Sequence, residues 1–407
     1  MLLNPTDFTS KPTAFEIRTP AEDIRDLHDR LARTRYAPDL GNEEWKYGVP
    51  TSVLKQWVPK WRQFDWRAAE QRLNSFDNYR VLVDQDPIHY VFKKGVGPNP
   101  LPLLLLHGWP WTYWDWHATV DRLADPAKYG GDAKDAFDVI LPSLPGYTFS
   151  PLVRTGVSLH VIADVLARLM QVLGYSKFAV AGGDQGNFIA GQLGHKYADR
   201  LIGVQLLGAI PMHVFNHENP LAMPKDWGYE RKNHHPRDPN LLTPTRLARH
   251  PTAHLHVNSI EPQTVSAAMH DSPVGLLSWM LDRRHWWSDN DGTGDVLQSF
   301  SEEFLLTTIS LYWFTQSFAT SVRTYYETAW KPWQPVHNLK PPVQAPTGIA
   351  FLDGDELTSH SRFWCEDFYN LKRTALVPRG GHFGAAEVPE LVVAEIQQTM
   401  RLLRRAA

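Results

Sequence analysis

The chain holds a single cysteine, Cys365, in 407 residues. One cysteine excludes an internal disulfide framework and any cysteine-rich metal site, and fits a reducing compartment. Long hydrophobic runs are also missing. The first twenty residues, MLLNPTDFTSKPTAFEIRTP, carry no apolar stretch of signal-peptide length, and the longest run, LPLLLLHGW, is far too short to span a bilayer. The expectation is a cytoplasmic protein with no membrane partner. Neither sign of charge is in excess: 41 Lys and Arg against 44 Asp and Glu give a net charge of -3, which leaves no basic field for nucleic acid. Repeats and low-complexity tracts are absent too.

Aromatic residues are what the sequence has in quantity. Its 16 Trp and 14 Tyr gather in GWPWTYWDWH, SWMLDRRHWWSD, LYWF and AWKPWQP. Rings of this size fill cores and interfaces, and the same clusters can wall a pocket for an apolar ligand.

The pattern along the chain gives the fold class. TPAEDIRDLHDRLARTRY spaces Ile24, Leu27, Leu31 and Tyr36 helically behind a Thr-Pro start, and PTSVLKQWVPKWRQFDWRAAEQRLNSF predicts helices broken at Pro59. Residues 1–75 are read as a helical arm. YRVLVDQDPIHYVFKKG predicts a hairpin. From PLLLLHGW onward, continuous apolar runs such as FDVILP, KFAVAGG and LIGVQLLGAIP alternate with helical patterns. That order predicts an α/β-hydrolase-like fold with a mostly parallel sheet and helices on both faces. Residues 76–212 are its first part. Residues 213–335, with His- and Pro-rich turns followed by Trp-rich helices, are read as an inserted helical cap. Residues 336–407 complete the core.

Three residues stand in the order nucleophile, acid, histidine at the ends of predicted strands. Asp184 occupies the centre of AVAGGDQGN, a sharp strand-to-helix turn among small residues. Asp355 follows GIAFLD, with Asp353 and Glu356 as competitors. His382 lies in RGGHF. An aspartate nucleophile suits saturated carbon: it forms an ester, which water activated by histidine can hydrolyse, whereas serine would leave an ether. Asp355 would orient the imidazole. The ester's tetrahedral oxyanion needs donors, for which the backbone N–H groups of Gln185 and Trp109 are the candidates, each worth roughly 3 to 4 kcal/mol. A cis bond before Pro110 would turn that loop toward the cleft. No metal or organic cofactor is needed for this chemistry.

HGWP, GGDQG, DSPVGL and RGGHF, behind the arm DLHDRLARTRY and FDWR, resemble the microsomal-type epoxide hydrolases in a form without the membrane anchor. The resemblance runs from about Phe15 to Val393. It implies an apolar epoxide and water as substrates and a vicinal diol as product. It also implies two cap tyrosines that hold the epoxide oxygen. RTYYE places Tyr325 as one, with Tyr326 as the register competitor. At the other position HLHVNSIEPQTV supplies His254, so the second donor is His254, Tyr229 or none. Trp111 stands where the family has a small residue, which with Trp114, Trp286 and Trp287 suggests an aromatic pocket. Asn187 is read as structural. A haloalkane-type dehalogenase and a catalytically altered binding module are the alternatives, and a homodimer is left open.

Overall fold

The computed structural model describes residues 4–43, 45–210, 253–290, 294–355 and 365–404. Among the described residues, nine strands form one sheet: β1 (Thr13–Ala14), β2 (Asn78–Val83), β3 (Asp86–Lys93), β4 (Leu101–Leu106), β5 (Phe137–Pro142), β6 (Phe178–Gly183), β7 (Leu201–Leu207), β8 (Val343–Leu352) and β9 (Tyr369–Val377). Their order is β1-β2-β3-β5-β4-β6-β7-β8-β9. The first three are antiparallel neighbours, β3 meets β5 antiparallel, and every pair from β5 to β9 is parallel. Every residue of β5 and β6 is buried. This is why those strands read as unbroken apolar runs rather than as alternations.

The arm packs on the helices inserted between β7 and β8. Its helices are Ala21–Ala32, Thr51–Gln63 and Trp66–Leu73. Trp61 Nε1 donates to Ser310 Oγ at 2.8 Å, Lys60 reaches Glu302 at 2.6 Å, and the rings of Trp66 and Phe314 lie 4.8 Å apart. One expectation is corrected here. Pro59 does not break its helix but sits inside Thr51–Gln63. A proline removes one backbone donor there, and burial of Trp57, Val58 and Trp61 on the same helix holds it together. The break falls at Phe64, where the chain turns extended and Asp65 caps the next helix by accepting from Ala68 N at 3.0 Å.

The described residues of the insertion hold five α-helices: Ala253–Ile260, Pro262–Asp271, Pro273–Trp287, Glu302–Thr315 and Phe318–Ala329. Pro262 and Pro273 open their helices, where a missing N–H costs nothing. Ser272 and Ser301 cap their helices through Gly275 N and Phe304 N, each at 3.1 Å. Among the described residues, no helix is long and apolar enough to cross a membrane.

Candidate active site

The sheet delivers the candidate residues to one edge. β6 ends at Gly183, and Asp184 turns the chain into helix Gln185–Lys196 with φ 53° and ψ -124°. A non-glycine residue rarely adopts such a conformation, and where one does it is held by its surroundings. Small neighbours make the turn feasible. A Cβ on Gly182 would stand 2.5 Å from the Gly186 carbonyl carbon, one on Gly186 would strike Leu106 O, and one on Gly108 would strike the Asp184 carboxylate itself. Asn187 ties the helix to the sheet, donating to Leu207 O at 2.6 Å and accepting from Leu207 N at 3.2 Å.

The two oxygens of Asp184 are held differently. Trp109 N donates to Oδ1 at 2.7 Å, while His382 Nε2 lies 3.2 Å from Oδ2. Trp109 precedes a cis peptide bond to Pro110. On the far side of the imidazole, Nδ1 lies 3.5 Å from Asp355 Oδ1. Asp355 is buried and Asp353 is exposed, which separates those two competitors. Glu356 and Tyr229 lie outside the described residues. Burial disfavours a charged His382, but the Asp355 carboxylate, together with Asp184, overrides it and pushes the pKa up to about 10.

Rings close the cleft above the carboxylate. His254 stacks on Trp109 with centroids 5.4 Å apart, and Tyr325 stands edge-on to both at 5.7 Å. Trp287 bridges His254 (4.8 Å) and His382 (5.3 Å), and Trp111 meets His382 at 5.9 Å. Burial and the Asp184 charge hold the Tyr325 hydroxyl well above the ordinary tyrosine range, so it keeps its proton. Near it, the Gln185 side chain accepts at Oε1 from Tyr147 Oη at 2.7 Å. Tyr326, the register competitor, is 38% exposed and stacks on Trp330 at 5.5 Å instead.

Two expected pocket residues lie elsewhere. Trp114 stacks on His117 at 4.4 Å and meets Phe76 at 5.8 Å, lining a separate small void with Val91, Val120 and Leu141. Trp286 is 38% exposed and edge-on to His285, because helix Pro273–Trp287 turns its neighbour Trp287 inward. Among the described residues, no cluster of His, Cys, Asp and Glu could hold a metal ion.

Several residues at the site went unremarked in the sequence. Tyr147 and the Gln185 side chain are two of these. Another is the fully buried pair Asp115–Arg284, 2.8 Å apart, whose guanidinium lies 3.7 Å from the Phe383 ring centre and so backs the residue after His382. The spacing Thr112-x-x-Asp115 is a capping box and would have marked Asp115 for a local role. Nothing in the sequence marks Arg284 as its partner, 169 residues away. The last is Glu387, five residues beyond His382.

Comparison with known proteins agrees with this geometry. Residues 12–116 match the family described as epoxide hydrolase N terminus, and residues 102–387 match the alpha/beta hydrolase fold. Epoxide hydrolase 1 of Oryctolagus cuniculus is 30% identical, over 96% of this chain and 89% of that one. Among solved structures, the Aspergillus niger epoxide hydrolase superposes with a TM-score of 0.80 at 25% identity, covering 98% of each chain. The juvenile hormone epoxide hydrolase of the silkworm Bombyx mori has the same fold, with a TM-score of 0.78 at 24% identity over 98% of this chain and 96% of that one. This chain belongs to the epoxide hydrolase family.

Proposed function

We propose that the protein converts an apolar epoxide to a vicinal diol through a covalent ester on Asp184, under a cap made by the helices between β7 and β8. The observation that carries this reading is the divided Asp184 carboxylate, with Oδ1 on a backbone donor and Oδ2 beside His382. Oδ2 attacks an epoxide carbon, the ring C–O bond breaks, and the epoxide oxygen takes the Tyr325 proton. His254, on the same face as Tyr325, is the second donor to that oxygen. Oδ1 then becomes the ester carbonyl oxygen. It already sits on Trp109 N, and the Gln185 N–H, at the start of its helix, supplies the second oxyanion donor.

Ester formation also switches His382. It consumes the Asp184 charge, one of the two carboxylates that hold the imidazole protonated. The imidazole then passes its proton to the Tyr325 phenolate and accepts one from water, which attacks the ester carbonyl. Asp355 holds the ring in register. Collapse of the oxyanion passes the proton left on the attacking oxygen to the departing oxygen, releases the diol and restores the Asp184 carboxylate. Trp109, Trp111 and Trp287 offer apolar walls, which suits an uncharged, bulky epoxide.

His382→Asn mixed with excess epoxide and quenched should carry one substrate mass on the peptide containing Asp184. An unmodified peptide, from a variant that still consumes one equivalent of epoxide, contradicts the covalent route.

A further inference from the structure

One carboxylate next to the site has no part in the reaction described above. Glu387 ends the short helix Gly384–Glu387 that follows His382. Its Oε2 accepts from Gly381 N at 3.0 Å and from Asp289 N at 2.7 Å, and its Oε1 accepts from Phe383 N at 2.9 Å. Gly381 and Phe383 flank His382 on either side. The His382 N–H itself donates to Trp287 O at 2.7 Å. Gly380 N donates to Asp289 Oδ2 at 2.8 Å, and Ser299 Oγ donates to Asp289 O at 2.8 Å. Four consecutive backbone donors of the His382 loop are thus taken by Glu387 or by the segment Trp287–Asp289 that ends a cap helix.

The close fit of these segments depends on glycine. A Cβ on Gly381 would lie 2.5 Å from Asp289 N and 2.6 Å from Trp287 O, and one on Gly354, next to Asp355, would lie 2.8 Å from Asp289 Cβ. The cap segment therefore rests on both the histidine loop and the acid loop. We propose that Glu387 is a positioning residue that latches cap segment Trp287–Asp289 to the His382 loop, so that presentation of the imidazole to Asp184 depends on the cap.

The chemistry of the side chain explains why it is a carboxylate. Three N–H donors converge on it, and only a group with acceptors at both oxygens can serve all three. A glutamine has one acceptor oxygen. Whichever way its amide turns, its NH2 faces an N–H and at least one donor is lost. Burial pushes the Glu387 pKa up to about 7, against the pull of the three backbone donors and of Arg284.

The proposal rests on the ester mechanism for its kinetic arm only. Glu387→Gln should slow ester hydrolysis by ~10- to 100-fold in single turnover, since an ångström of misplacement costs that much, with ester formation less affected and ester accumulating. Glu387→Asp, which keeps both acceptor oxygens, should recover part of the loss. Independently of any ester, the His382 imidazole followed by NMR should titrate at a lower pH in Glu387→Gln, because the ring moves relative to Asp184 and Asp355. Asp289→Ala, which removes only the Gly380 acceptor, should shift both readouts the same way by less and serves if Glu387→Gln does not fold. A folded Glu387→Gln with a lowered melting point but unchanged hydrolysis and an unchanged imidazole titration overturns the proposal. If no ester forms in wild type or variant while the titration still moves, the covalent route fails and the latch stands.

Discussion

Trp109 N lies 2.7 Å from Asp184 Oδ1, so on the proposed ester route the nucleophile rests in half of its own oxyanion hole before any substrate arrives. In that proposal the contact chooses the attacking atom. Oδ1 is committed to a backbone donor and Oδ2 is the oxygen left to form the bond to carbon. On the proposed route one fixed donor serves both half-reactions, which is the preorganisation that makes such sites effective.

Gly108 protects this arrangement. Its missing Cβ leaves room that the Asp184 carboxylate fills. Gly108→Ala should displace the carboxylate and lower ester formation by ~100-fold or more, on the scale of a misplaced reacting group. Single-turnover rates measured beside a circular dichroism spectrum will separate this from unfolding.

In the proposed mechanism Asp355 acts through His382. Asp355→Asn should keep the ring in place but favour the wrong tautomer, lowering kcat by up to ~10⁴-fold, as for a triad acid. Ester should accumulate during turnover, visible by mass spectrometry of the quenched enzyme. Asp353→Asn, on an exposed neighbour, should leave kcat within about twofold, as expected for a surface substitution away from the site.

Tyr325 and His254 share the epoxide oxygen in this account. Tyr325→Phe should slow ring opening by ~10²- to 10⁴-fold, the usual worth of a positioned acid. His254→Phe should slow it less, and His254→Tyr should restore the rate. The losses should shrink for epoxides whose opened alkoxide is electronically stabilised, since these need less proton donation. An equal loss for every epoxide would assign His254 to packing alone.

The sequence carried most of this and missed the rest for a physical reason. Asp184, Asp355 and His382 were legible because each follows a strand, and strand order forces their meeting. Tyr325 against Tyr326 was not decidable from RTYYE, since helix phase decides which ring turns inward. Trp114 misled because GWPWTYWDWH reads as one aromatic cluster, whereas the turn at Thr112–Trp116 sends its rings to different sides. The Glu387 latch was invisible for another reason: its partners are backbone N–H groups, which leave no trace in residue identity. Pro59 shows the same limit, because tertiary burial of one helix face outweighed a local signal.

The raised pKa of His382 links stability to pH. The charged imidazole is favoured in the folded state, so its stabilising contribution is complete below its ordinary value of about 6.5 and fades as pH rises toward about 10. Denaturation midpoints measured from pH 6 to 10 should fall more steeply for wild type than for His382→Gln. Parallel curves would mean that the imidazole is not held charged by Asp355 and Asp184.

Isotope transfer tests for the ester on Asp184. Excess enzyme and epoxide are mixed in H₂¹⁸O for one turnover, and both diol and protein are analysed by mass spectrometry. The ester route gives unlabelled diol and one ¹⁸O in the peptide containing Asp184, because the diol oxygen comes from Oδ2 and water replaces it. Label in the diol with none in Asp184 would mean that water attacks the epoxide directly, and would contradict the account.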